Sequence, residues 1–155
     1  MTETALFVYG TLRRPVGGPP ADTHFHERIV EGILASAPAT LSNCALYDLG
    51  SYPGLGRGNG VAIGECFDVS PSTLRITDQI EGHPDFYVRR IETILLADGE
   101  AREAWVYWAP ERLLANAATI ESGDWFERPR GVVESAPIEH QLAHDMALEQ
   151  RKSMG

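Results

Sequence analysis

Two short stretches of this chain combine residue types that could manage a proton and an oxyanion. The first is Phe7-Val8-Tyr9-Gly10-Thr11-Leu12-Arg13, an apolar run that opens through glycine into a Gly-Thr turn. Chain that leaves a strand through glycine can aim successive backbone N–H groups at one point, and such a nest binds an anion or a polarised carbonyl oxygen. A positive φ at Gly10, which a β-branched residue would resist, is the expectation that goes with it. The second stretch is Asp78-Gln79-Ile80-Glu81-Gly82. A carboxylate in the last turn of a helix faces the negative end of the macrodipole, which disfavours its ionised form. Asp78, three residues earlier on the same face, adds like charge. With burial as a third cause, Glu81 should titrate above an ordinary carboxylate, as a group that takes and returns a proton at pH 7 must. Taken singly, each stretch also has a plain reading, as a strand ending in glycine and as an exposed helix end.

Other patterns invite chemistry and do not sustain it. Gly54-Leu-Gly-Arg-Gly-Asn-Gly60 resembles a phosphate loop, but Asn59 or Val61 stands where GxGxxG needs its third glycine. No GK[ST] follows, and a flexible turn is the better reading. His140 and His144 stand at i, i+4, yet Gln141 replaces the general-base Glu of HExxH, and a solvated helix face explains the pair. His24 and His26 alternate around Phe25 and lack a third ligand at metal-site spacing. No metal or cofactor is expected. Trp105, Tyr107 and Trp108 read as core packing rather than a base-stacking platform.

The elements that must position the two stretches follow from periodicity and punctuation. Ala5–Tyr9 is an apolar run suited to a strand buried on both faces. Segments 29–34, 44–49 and 61–69 read as further strands. Ser70 as N-cap and Pro71 at the first helical position start a helix through Leu74, Ile76 and Ile80, which Gly82 ends in the left-handed conformation. Strands over 87–96 and 104–108 are joined by the turn Ala97-Asp-Gly-Glu100, and a C-terminal helix is expected over 138–152. Residues 13–20, with three prolines and two glycines, should be an exposed loop. Many strands and few helices suggest a mixed sheet or small barrel with helices outside.

Composition sets the outer limits. A chain of 155 residues with 43% hydrophobic and 23% charged side chains suits one globular domain, residues 1–155. A net charge of −9 repels phosphate backbones and anionic lipid, so neither nucleic acid nor membrane is an expected partner. No basic leader precedes Ala5, and no apolar run reaches the length of a membrane span, so a cytoplasmic protein is expected. Cys44 and Cys66 lack CxxC spacing and read as small buried hydrophobes, with one disulfide left open. Oligomeric state is left open, and a monomer would suffice.

In sequence order stand Phe-Val-Tyr-Gly-Thr-Leu-Arg (7–13), Tyr52-Pro53-Gly54-Leu55, Asp78-x-x-Glu81-Gly82, Tyr87-x-Arg89 and Ser122-Gly123-Asp124-Trp125. The series resembles the γ-glutamylcyclotransferase-like family, which includes γ-glutamylamine cyclotransferases and γ-glutamyl deprotecting enzymes of antibiotic biosynthesis. The resemblance spans about residues 5–126. It implies an α+β fold, a small mixed β-barrel with flanking short helices, and no cofactor. It places the acid/base glutamate on Glu81 and the backbone substrate loop on Tyr9, Gly10, Thr11 and Leu12. Thr77 departs from a leucine common before the Asp, which bears on helix packing more than on chemistry.

The reaction so implied is intramolecular aminolysis: the α-amine of a γ-glutamyl group attacks its own γ-carbonyl, releasing an amine and 5-oxoproline. Glu81 would move the proton. The Gly10–Leu12 amides would hold either the oxyanion or the α-carboxylate. Tyr87 and Arg89 are candidates for orienting substrate or bracing Glu81. The partner implied is a small γ-glutamyl molecule. Two alternatives remain: a non-catalytic binding domain of the same fold, and deprotection of a larger γ-glutamyl metabolite.

Overall fold

The computed structural model describes residues 3–15, 23 and 25–128 of the chain. Six strands form: β1 (Thr4–Val8), β2 (Ile33–Asp48), β3 (Pro53–Val69), β4 (Val88–Leu96), β5 (Ala101–Trp108) and the short β6 (Ala118–Thr119). Two helices, α1 (Pro71–Glu81) and the single-turn α2 (Glu111–Leu114), lie outside them. The sheet order is β3-β1-β5-β4-β2-β6, and β2 also pairs with β3. That extra pairing closes β3-β1-β5-β4-β2 into a five-stranded barrel. β1 runs parallel to β5 and every other pair is antiparallel, so the barrel is mixed, as expected.

The apolar run of β1 has a double purpose. Ala5 and Phe7 point into the barrel with Leu41, Leu46, Leu55, Val106 and Trp125. Leu6 and Val8 point outward and meet Phe67, Leu74, Ile80, Tyr87 and Tyr107 beneath α1. A strand covered on both sides has no polar face to show, which is why alternation is absent there.

Helix α1 starts and stops where its capping residues dictate. The Ser70 side chain accepts the Thr73 N–H, Pro71 opens the first turn, and Gly82 closes the helix at φ 71° and ψ 30°. Its backbone N–H turns back to the Asp78 and Gln79 carbonyls. The 97–100 turn also forms, with Gly99 at φ 90° and Asp98 accepting the Glu100 N–H at 2.9 Å.

Two expectations are corrected and a third, the strand over 44–49, forms as part of a longer one. The glycine run 54–60 is not a turn but part of β3. Its glycines make room for neighbours: a β-carbon on Gly56 would stand 2.6 Å from Leu114 Cδ1, and one on Gly58 2.9 Å from Ala45 Cβ. Around it Cys44 faces both Arg57 and Gly60, a bulge that bends the long β2–β3 hairpin. Segment 29–34 is mostly a 3₁₀ turn, Val30–Gly32, which follows another at His26–Arg28, and β2 begins only at Ile33. Segment 44–49 is the far end of that 16-residue strand, whose middle was hidden by Pro38, Ser42 and Asn43. Cys44 and Cys66 are buried and free. The 138–152 helix, His140, His144 and His24 lie outside the described residues. Among those described, no helix is long and apolar enough to cross a membrane.

Candidate active site

The chain leaves β1 through Tyr9 and turns at Gly10–Arg13, a turn closed by the Arg13 N–H on the Gly10 carbonyl at 2.9 Å. The carbonyls of Gly10, Thr11 and Leu12 are occupied by the protein. Thr11 O accepts from Phe25 N–H at 3.2 Å, and Leu12 O accepts from Nδ1 of buried His26 at 2.9 Å. The N–H groups of Gly10, Thr11 and Leu12 meet no acceptor among the described residues. Gly10, Thr11 and Leu12 all line one cavity, and successive N–H groups without a protein acceptor are the kind of donors an anion or a polarised oxygen can use.

Arg13 fixes this loop from below. Its guanidinium reaches Glu65 Oε2 at 3.3 Å and Asp124 Oδ1 at 2.8 Å, and lies 3.9 Å over the Phe126 ring. Asp124 also accepts the Phe126 N–H, so Ser122–Trp125 is the anchor of the loop rather than part of the cavity. Gly123, at φ 71°, sits against the Val61 carbonyl where no side chain would fit.

Opposite the loop stands Glu81, the last residue of α1. It and the loop line one narrow cavity, together with Tyr52, Pro53, Tyr87 and Tyr107. The Glu81 carboxyl has no hydrogen-bond or ion-pair partner among the described residues, and the residue is partly accessible and lines that cavity. Burial pushes it from about 4.5 up to about 8. The Tyr9 and Tyr87 hydroxyls are held well above their ordinary range, first by burial and then by charges that include Glu81. Both are spent on backbone: Tyr9 donates to Tyr107 O at 2.6 Å and Tyr87 to Pro53 O at 2.7 Å.

Asp78 lies on the same helix, and its fate is the reverse. Arg89 grips it with Nε on Oδ1 at 2.7 Å and Nη2 on Oδ2 at 3.1 Å, while Tyr107 donates to Oδ1 at 2.6 Å. The guanidinium of Arg89 also lies 4.1 Å over the Trp105 ring. Thus Asp78 is neutralised by its partners, and desolvation alone lifts Glu81. Of the expected causes, burial is the one that raises it, and Asp78 contributes nothing. Thr77 causes no packing fault, since its hydroxyl donates to Leu74 O at 2.8 Å and lies 2.8 Å from Tyr107 Oη.

Of the residues singled out from sequence, Tyr9, Gly10, Thr11, Leu12, Glu81 and Tyr87 come together around one cavity. Arg89 does not line it; it holds Asp78 instead. Gly10 is not among the glycines at positive φ, so its requirement is of another kind. A β-carbon there would stand 2.3 Å from Pro53 Cγ. Tyr107 is part of the core, as expected, and also lines the cavity. Its cross-strand pairing with Arg89 turns it to the face of β5 that α1 covers, and that register was the signal available. Among the described residues, no cluster of three or more His, Cys, Asp or Glu could hold a metal ion.

Comparison with known proteins gives a consistent picture. The family model described as "Gamma-glutamyl cyclotransferase, AIG2-like" matches residues 6–127. The gamma-glutamylcyclotransferase family protein YtfP of Escherichia coli K12 is 30% identical over 125 residues, 81% of this chain and 98% of its own. A Methanocaldococcus jannaschii relative is 41% identical over 63 residues, and this match spans half of that protein's length. The crystal structure of an AIG2-like protein from Mus musculus superposes with a TM-score of 0.60 at 25% identity, over 86% of this chain and all of the mouse chain.

Proposed function

The chain belongs to the gamma-glutamyl cyclotransferase, AIG2-like family, and on that footing we propose that it cleaves a γ-glutamyl amine or peptide by intramolecular aminolysis. The observation that carries this is Glu81: a carboxyl with no partner among the described residues, lifted to about 8, lining one cavity with Gly10, Thr11 and Leu12, whose N–H groups meet no acceptor among those residues. Structural carboxylates in this protein, such as Asp78, are paired. An unpaired one in a cavity is poised to exchange a proton.

The α-amine of the γ-glutamyl group attacks its own γ-carbonyl carbon. A new C–N bond closes the five-membered ring, the amide C–N bond breaks, and the products are 5-oxoproline and a free amine. Both reacting groups belong to one molecule, so the protein chiefly has to hold the rotamer that brings them together. Ionised Glu81 takes a proton from the attacking nitrogen and delivers it to the departing one. An α-ammonium beside the carboxyl favours its ionised form when substrate binds. The Gly10, Thr11 and Leu12 amides hold the α-carboxylate or the oxyanion. Tyr9 and Tyr87, tied to backbone carbonyls, shape the walls and give no proton.

The test is incubation with γ-glutamyl amines, γ-glutamyl amino acids and glutathione, followed by mass spectrometry for 5-oxoproline. Formation of 5-oxoproline with an equal amount of free amine is expected from at least one substrate. Binding without turnover across the panel would replace this reading with that of a binding domain.

A further inference from the structure

A second and larger cavity, a cleft of about 550 Å³, opens at the same end of the barrel. Leu55 and Arg57 of β3, Arg90 of β4, Trp108 of β5 and Leu114 of α2 form its walls. Two relationships set it beside the Glu81 cavity. Pro53 of that cavity and Leu55 of the cleft are two residues apart on β3, on one face and about 7 Å from each other. β1 and β5 run parallel with Leu6 opposite Trp105, and continuing that register brings Tyr9 level with Trp108.

The cleft's polar groups are unevenly satisfied. Arg57 is held, with Nη2 on Glu92 at 2.9 Å and its guanidinium 3.9 Å over the Trp108 ring. Arg90 is exposed and pairs with no carboxylate among the described residues. Trp108 is only 8% exposed, yet its indole N–H meets no acceptor among them. The remaining wall is apolar and aromatic. In a protein of net charge −9, an unpaired guanidinium beside an aromatic wall is a local positive feature. Its planar fork matches a carboxylate. Glu111 lines the α2 side and repels a carboxylate there, which leaves the Arg57–Arg90 side as the berth.

We propose that this cleft receives the leaving half of the substrate and favours an apolar or aromatic amine that bears a carboxylate, an α-amino acid rather than a simple amine. The proposal rests on the cyclotransferase reading above and names the substrate class for that same site. Arg90 would bind the carboxylate, and Trp108 and Leu55 the side chain.

A matched pair tests it: γ-glutamylphenylalanine and γ-glutamylphenethylamine differ only by that carboxylate. For the wild type, kcat/KM is expected to favour the acid by about tenfold or more, the usual scale of a charge-assisted contact. Arg90→Gln should bring that ratio close to one, chiefly through a higher KM for the acid. Free phenylalanine should inhibit the wild type competitively, and more weakly the variant. A wild-type ratio near one, or a ratio that Arg90→Gln leaves intact, would overturn the cleft's role while the cyclotransferase reading stands. Failure of both substrates to give 5-oxoproline would remove the cyclotransferase reading, and the cleft's role with it.

Discussion

Gly10 and Pro53 are in such close approach that a β-carbon on the glycine would stand 2.3 Å from the proline Cγ. The Gly10–Arg13 loop and the start of β3 are thereby packed backbone against ring. Pro53 in turn offers its carbonyl to Tyr87 at 2.7 Å, so one wall of the cavity depends on that approach.

Gly10→Ala should therefore displace Pro53 and disturb the cavity. Overpacking of this kind typically costs about 1–3 kcal/mol. A lowered Tm and a KM raised tenfold or more are expected, from thermal denaturation and steady-state kinetics. An unchanged KM in a folded variant would show that the loop does not contact substrate.

Arg13 acts at a distance from the reacting atoms, through its hold on Glu65 and Asp124. Arg13→Met leaves both carboxylates without that partner, and breaking a partly buried pair should cost roughly 2–4 kcal/mol. Because the loop loosens while Glu81 is untouched, KM should rise more than kcat falls, and Arg13→Lys should recover part of the loss. A purely structural role would lower Tm in Arg13→Met with KM unchanged.

Asp78→Asn separates the two carboxylates of α1. Burial, not Asp78, lifts Glu81, so the pH at which activity turns on should stay near its wild-type value. Stability should drop by about 1–3 kcal/mol, because the charge-assisted bonds to Arg89 weaken. A large downward move of the pH–rate midpoint would restore like-charge repulsion as the cause.

Stability should carry the mark of Glu81 as well. Its folded value of about 8 lies above that of a free glutamate, so the folded state binds the proton more tightly than the unfolded chain. The stability this gives is complete below about pH 4.3 and is lost as pH rises toward 8, at most ~1.4 kcal/mol per pH unit. Glu81→Gln has no such proton. Denaturation between pH 5 and 8 should therefore show a falling wild-type stability, a flatter variant, and a variant more stable than wild type at pH 8.

Much of the site was legible because local chemistry specifies it. Ser70, Pro71 and Gly82 set the ends of α1, and with them the place of Glu81. The double-sided burial of β1 could be read from Ala5–Tyr9 alone. Long-range relationships were not legible. The Gly54–Gly60 run looks like a loop until α2 and the partner strand are seen to fill the space its missing side chains leave. Arg89 stands two residues from Tyr87, a spacing that puts both on one side of an extended chain, so alternation alone does not reveal that Tyr87 reaches Pro53 while Arg89 is taken up by Asp78. Burial is one of the causes the sequence suggests for the Glu81 shift, and what helix position does not reveal is that Arg89 and Tyr107 already satisfy Asp78.

The most direct measurement is kcat against pH for wild type and Glu81→Gln, with 5-oxoproline as the readout. Glutamine keeps the size and reach of the side chain but cannot carry the proton at neutral pH. Loss of general acid–base catalysis should lower kcat by ~10²–10⁴-fold with little change in substrate affinity. The wild-type rate should climb with pH as Glu81 ionises, with a limb between the free-glutamate value and about 8. The substrate's own α-amine titrates near ~8, so the limb belongs to Glu81 only if the variant lacks it. A Gln variant that turns over at close to the wild-type rate, with the same pH limb, would contradict the assignment of Glu81 as the proton carrier.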